Sequence, residues 1–206
     1  MNIKKYYQIA KFKLFKICRS ITGNGITLSL QIIKKQFPNL KIKKIKCGTK
    51  VFDWKIPPEW NVYDAYVLDN KQKKIIDFKK NNLHLVNFSI PIKKRIKKKE
   101  LLKKIFSLKK QPQAIPYVTS YYKKNWGFCV ADNFKKKIIE KYNDSSFFDI
   151  RIDTEFNQKG NLKYGEYFIK GKKNKEILIS TYLCHPSMAN NELSGPIVVM
   201  SLIDFF

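Results

Sequence analysis

The residue with the clearest chemical potential is a histidine at the end of an apolar run. Ile177-Leu178-Ile179-Ser180-Thr181-Tyr182-Leu183-Cys184 leads into His185-Pro186, a polar loop follows, and Ser194-Gly195-Pro196 opens a second apolar stretch. The pattern predicts a buried strand, a loop and a helix start. Polar side chains then gather at the strand's carboxyl end, where open α/β sheets place their ligand sites. Pro186 disfavours the α region for His185 and holds it extended. An imidazole held in that way suits a metal ion. The spacing alone leaves a second role open, that of a half-buried structural histidine. Ser194 is expected to cap the helix beginning at Gly195-Pro196. Cys184 adjoins His185, but consecutive strand residues face opposite sides, so it reads as a small buried hydrophobe. His84 lies in a strand-like stretch and reads as structural. Asp53, Glu59, Asp64 and Asp77 show no spacing that pairs them.

The elements that must position this loop follow from periodicity. Residues 3–18 have helical spacing, with Ile3, Tyr6, Tyr7, Ala10, Leu14 and Ile17 on one side. After the Thr22–Gly25 turn, Thr27 is expected to cap a second helix that ends at Pro38. Ile42 and Ile45 alternate with lysines as in an edge strand. From Cys47 the chain becomes aromatic and β-prone, and Pro57-Pro58 forbids regular helix. Residues 62–68, 75–78 and 83–90 read as short strands. Residues 97–108 read as a short amphipathic helix with Leu101, Leu102, Ile105 and Leu108 inward. An aromatic loop spans 111–128, and 131–142 reads as helix. Residues 147–152, 164–169 and 177–183 then read as three strands.

Composition bounds the function. The 206 residues are 44% hydrophobic, enough for a sizeable core. The net charge of +26 invites a nucleic-acid reading. Yet the only arginines are Arg19, Arg95 and Arg151, and recognition of phosphates and bases favours arginine's bidentate fork. The lysines spread along most of the chain with isoleucine and asparagine, as in an AT-rich genome. Solvated lysine faces are therefore expected, with no specific nucleic-acid site. Cys18, Cys47, Cys129 and Cys184 include no CxxC pair and read as reduced thiols. Lysines at 4, 5, 11, 13 and 16 break every apolar run near the N-terminus, so no signal core is present there. No stretch approaches the ~18 apolar residues of a membrane span. A cytoplasmic location is expected.

The run from His185 to Pro196 resembles the first metal-ligand segment of zinc aminopeptidases of the M28 type. More closely, it resembles the bacterial aminopeptidase-like proteins of the DUF4910 group, which carry an inserted DUF2172 domain. Ile21–Gly25, Gly48–Trp54, Pro58–Val62, Asn82–His84, Ala114–Tyr122 and Asn125–Cys129 match that group in the same order. The resemblance covers about residues 18–206. It implies an α/β fold, an incomplete zinc-aminopeptidase-like three-layer domain interrupted by a β-rich insert. Residues 1–46 would be the helical start of the peptidase-like domain, 47–134 the DUF2172-like insert, and 135–206 the start of the peptidase-like sheet with the first ligand loop.

The same resemblance implies zinc as cofactor and His185 as a ligand. The position that holds a bridging aspartate in the zinc enzymes, four before the motif glycine, is Asn191. One neutral amide oxygen holds two cations less well than a carboxylate. Glu192 is an adjacent carboxylate that could substitute, and the Asn191–Glu192 bond could be cis. The general base and the remaining ligands are expected beyond residue 206, so the chain reads as the N-terminal part of a longer or split protein, or a broken reading frame. A peptide or amide-bearing small substrate is implied for the complete protein. Little activity is expected of the chain alone, with self-association or a complementing C-terminal chain as its partners. Two rival readings stand beside this one. One is a non-catalytic interaction module, tied by the group's resemblance to surface-polysaccharide loci. The other is a polyanion-binding basic protein.

Overall fold

The computed structural model describes residues 2–206. Its helices and strands run in the order α1 (Ile3–Ile9), α2 (Asn24–Lys34), β1 (Lys41–Lys46), β2 (Lys50–Val51), β3 (Trp54–Lys55), β4 (Glu59–Leu68), β5 (Lys74–Asp77), β6 (Ile92–Lys97), α3 (Lys98–Lys103), β7 (Ile105–Phe106), β8 (Phe128–Cys129), α4 (Asp132–Lys141), β9 (Phe147–Asn157), β10 (Asn161–Glu166) and α5 (Ser194–Phe205). The arrangement is a mixed α/β one. The chain divides into two compact units, residues up to Trp60 with Phe156–Phe206, and Asn61–Glu155. These units are bounded at 60 and 155, where the sequence-based domains are drawn at 46 and 134. Residues 47–60 stay with the outer segments because Cys47 N–H donates to the Gly160 carbonyl and Glu59 accepts from the Asn161 N–H at 3.0 Å. Residues 135–155 stay with the middle because β9 is a strand of its sheet.

In the first unit, α1 continues into a π-helical turn, Ala10–Leu14. Tyr6, Ile9, Ala10 and Leu14 pack with Ile33, Phe37, Leu40, Leu193 and Met200 into one core. The Tyr6 and Phe37 rings stack at 5.6 Å. Each large apolar side chain buried there contributes about 1.5–3 kcal/mol. Helix α2 begins at Gly23, whose φ of 93° suits glycine. Thr27 is thus one turn inside the helix rather than at its cap, and its hydroxyl donates back to the Gly23 carbonyl. Strand β1 pairs antiparallel with β10, from Lys41 opposite Glu166 to Lys46 opposite Asn161. Gly165 lets Leu30 and Leu40 pack against β10, since a Cβ there would lie 3.1 Å from Leu30 Cδ2.

The second unit is built on a four-stranded sheet in the order β5-β4-β9-β6. On β9, Phe148, Ile150, Ile152 and Thr154 are buried in strict alternation, as a half-buried strand requires. Lys98 is buried under α4, where its ammonium donates to the Ile139 and Tyr142 carbonyls at 2.9 and 2.6 Å. It thereby caps the helix's carboxyl end.

Four sequence expectations change. Residues 83–90 form a short 3₁₀ turn (Asn82–His84) and a threaded loop. Val86 and Asn87 find their backbone partners in Gly127 and Val118, and Phe88 takes a left-handed φ of 63° that ends any strand. The helix expected over 97–108 stops at Lys103, because Ile105–Phe106 pairs in parallel with Phe128–Cys129. Leu108 is exposed. The three late strands do not share one sheet: β9 joins the four-stranded sheet, and β10 pairs with β1. Residues 177–183 form no strand, and Ile177 and Leu178 are each 91% exposed. A strand needs a neighbour's edge, and no described strand offers one to this segment. No helix among the described residues is long and apolar enough to cross a membrane.

Candidate metal centre at the head of the last helix

The chain around His185 is shaped by three local features. Pro186 follows the histidine, Ser187 takes a left-handed φ of 43°, and Ala189–Leu193 forms a π-helical turn that runs into α5. The left-handed residue reverses the chain, and the widened turn brings Glu192 back onto His185. Glu192 Oε1 accepts the His185 backbone N–H at 2.8 Å, and Oε2 accepts the ring Nδ1–H at 2.6 Å. The carboxylate is fully buried, and the imidazole is about a quarter exposed. With the proton on Nδ1, the lone pair is on Nε2. The Tyr182 ring meets the imidazole edge-on at 5.6 Å.

Beneath Glu192 lies a buried cation. Arg19 is fully buried, its Nε is 3.9 Å from Glu192 Oε1, and one guanidinium N–H donates to the Leu14 carbonyl that closes the π-helical turn after α1. Burial pulls the Arg19 pKa down, and Glu192, Cys18 and Cys184 oppose that pull. Burial pushes the Cys184 thiol up to about 12, with Glu192 adding to the rise and Arg19 opposing it. Burial likewise pushes Cys18 up to about 12 against the lowering by Arg19. Both thiols are protonated at neutral pH.

Cys184, His185 and Glu192 each place a potential ligand atom within 4.8 Å of the others. The trio is a hydrogen-bonded assembly more than a ready cage. Ligand atoms about 2.0–2.3 Å from a tetrahedral zinc lie roughly 3.3 Å or more apart, and the 2.6 Å between Nδ1 and Oε2 leaves room for a proton only. Arg19 already supplies positive charge to the same carboxylate. This geometry suits a different division of labour, with His185 Nε2 toward a metal and Glu192 as the carboxylate that orients the ring.

Several expectations need restating. Cys184 is not on the opposite face from His185, since its sulfur lies 3.5 Å from Nδ1; the alternation argument fails because the segment is not a strand. Ser194 does not cap α5. The π-helical turn feeds straight into the helix, and Ser194 Oγ donates instead to the Asn190 carbonyl. No described peptide bond is cis, including Asn191–Glu192. Asn191 lies in the π-helical turn and is exposed, and its carbonyl accepts from the Tyr182 hydroxyl at 2.8 Å. His84 lies in the second unit, with Nδ1 2.7 Å from the Cys129 carbonyl. Three of the four scattered acids find lysines: Glu59 Lys163, Asp64 Lys79, and Asp77 Lys74.

Arg19 is the part of the site that the sequence reading missed. A signal existed: in a chain that uses lysine almost everywhere, arginine persists at only three positions. A buried position that serves both a carboxylate and a carbonyl has use for its delocalised fork.

Comparison with known proteins agrees with this architecture. Residues 7–205 match the family described as "Domain of unknown function (DUF4910)". A curated relative from Clostridium acetobutylicum is 48% identical over 183 residues, 89% of this chain and 41% of the relative; it is described as "Putative polysaccharide biosynthesis protein with aminopeptidase-like domain". A crystal structure described as that of a "putative peptidase" from Clostridium acetobutylicum is 43% identical, with a TM-score of 0.90 over 99% of this chain and 46% of its own. The chain spans less than half the length of either relative. By the extent of these matches, the chain is a member of the DUF4910 family.

Proposed function

We propose that this chain supplies the first ligand segment of a zinc-dependent, aminopeptidase-like amide hydrolase, on a three-layer domain interrupted by an insert. The observation that carries the reading is the Glu192–His185 pair. A buried carboxylate on Nδ1 fixes one tautomer and orients the ring, the arrangement found behind most metal-bound histidines. Zinc at such a site lowers the pKa of bound water for attack on an amide carbonyl. His185 is the ligand, and Asn191 occupies the second ligand position with one neutral oxygen. These two groups fall short of the three protein ligands of a catalytic zinc, so the chain by itself is expected to hold zinc loosely and turn over little substrate. The relatives' names support an aminopeptidase-like ancestry, and the reference to polysaccharide biosynthesis in one of them makes an amide on a sugar derivative as suitable a substrate as a peptide. The four free cysteines suit a reducing cytoplasm.

A second reading is a non-catalytic module of the same fold. It is favoured by the way Arg19 and His185 already satisfy Glu192. Zinc titration by calorimetry, with near-ultraviolet circular dichroism as the control for folding, separates the two. The metal reading expects one zinc per chain. His185→Ala should abolish it, and Glu192→Gln should weaken it by about 10–100-fold. Equal zinc binding by wild type and His185→Ala, or none by either, would overturn it.

A further inference from the structure

We propose that the loop 117–126 of the second unit carries a stacking site for an acidic sugar, with Tyr121 and Tyr122 as its walls. The starting observation is backbone strain. Phe88 and Tyr121 take left-handed φ angles of 63° and 45°. Such values are rare for bulky side chains, and residues held there cluster at ligand sites. The two strained residues also touch, with ring centroids 5.3 Å apart. Strain at one residue fixes where a chain turns. Strain at two aromatic residues in contact fixes where their rings are presented.

The rings form a corner. Tyr121 meets Tyr122 at 4.7 Å with an interplanar angle of 85°. Phe88 is buried and backs Tyr121, Tyr121 is half-buried, and Tyr122 is 56% exposed. The loop that carries them is tied down. Ser120 Oγ donates to the Phe88 carbonyl at 3.0 Å, the Ser120 N–H donates to the Asn87 carbonyl, and the Asn87 N–H donates to the Val118 carbonyl. Lys104 lies 5.2 Å over the Trp126 ring and donates to Asn125 Oδ1 at 2.8 Å. A corner held in this way loses little freedom when it is filled.

The ligand class follows from what the corner offers. A pyranose has a flat face of C–H groups that packs on an aromatic ring, and a rim of hydroxyls that stays in water. Two perpendicular rings fit one face and one edge of it. A peptide strand would need backbone partners, and this loop uses its own. The Tyr121 N–H donates to Thr119 Oγ1, the Lys123 N–H to the Ser120 carbonyl, and the Asn125 carbonyl accepts from the Ile90 N–H. Lys123 and Lys124 follow the rings and are exposed. A carboxylate on the sugar therefore meets a cation beside the stack. This inference deepens the sugar-derivative reading given above and uses neither His185 nor zinc.

The test titrates trigalacturonate into the 206-residue chain by calorimetry, in a metal chelator and at physiological ionic strength. Maltotriose is the neutral sugar, and tetraglutamate supplies charge without a sugar ring. One trigalacturonate should bind per chain, about tenfold more tightly than either control. Tyr122→Ala should weaken it by about tenfold or more. Tyr121→Gly removes one wall and relieves the left-handed backbone, so it should lose binding without lowering the thermal unfolding midpoint. The chelator keeps zinc out of the readout: a failed zinc titration leaves these expectations standing, and their failure leaves the zinc reading standing. No binding of trigalacturonate, equal binding by Tyr122→Ala, equal binding of maltotriose or tetraglutamate, or a lower midpoint in Tyr121→Gly would each overturn the proposal.

Discussion

His84 and His185 place the same ring nitrogen against oxygen, at 2.7 Å from a backbone carbonyl and 2.6 Å from a carboxylate. The carbonyl of Cys129 is neutral and only fixes the ring's tautomer. Burial, the larger effect, pulls the His84 pKa down, opposed by that carbonyl and Asp77. Glu192 is a charged partner, and a buried arginine backs it. The first arrangement keeps a ring neutral inside a threaded loop; the second polarises a ring that stays partly open to solvent. Function is read from what stands behind the nitrogen and not from burial of the histidine alone.

The largest effect should come from breaking the charge behind His185. Glu192→Ala leaves Arg19 buried without its carboxylate, and breaking such a pair costs about 3–5 kcal/mol. Urea unfolding measures it, and an unchanged midpoint would mean that the guanidinium is satisfied elsewhere. Next in size is the contrast in metal affinity. His185→Ala should abolish zinc binding, whereas His84→Ala should leave it untouched. Comparable losses in both variants would erase the distinction.

His84→Ala should instead lower stability by about 1–2 kcal/mol, because the Cys129 carbonyl loses its donor. The pH dependence sharpens the same point. Folded His84 has a pKa below the ordinary value of 6.5, so the unfolded chain binds a proton first as pH falls. The contribution from neutral His84 is complete above about 6.5 and is lost as pH drops through that value toward the folded pKa. Unfolding midpoints at pH 7.5 and 5.5 should therefore differ less in His84→Gln than in wild type. The smallest effect is expected at Leu178→Lys, within about 0.5 kcal/mol, because that side chain is already in solvent.

Legibility in the sequence followed the range of the interactions involved. The alternation of Phe148, Ile150 and Ile152 and the helical spacing of Tyr6, Ala10 and Leu14 depend on one local period and were readable, whereas Ile3 and Tyr7, placed on the same face, are exposed. The same alternation misled at 83–90, where the chain's backbone partners came from residues 118 and 127 of a loop. A continuous apolar run misled at 177–183, where a strand's composition is present without a strand's neighbour. His185 could be singled out from its place between an apolar run and proline. Glu192 was noticed as a carboxylate, but its attachment to the histidine depends on the left-handed Ser187 and the π-helical turn, which no short-range pattern announces.

The sequence by itself determined which groups are present: one histidine at the end of an apolar run, a glutamate seven residues later, and three arginines in a sea of lysine. Tertiary structure alone decided that the glutamate faces the histidine, that Arg19 lies beneath it, and that Ile177 and Leu178 stay in water. Local periodicity records which face of an element is apolar. It does not record which distant side chain will share a buried site, because that pairing is set by the packing of the first helix against the last.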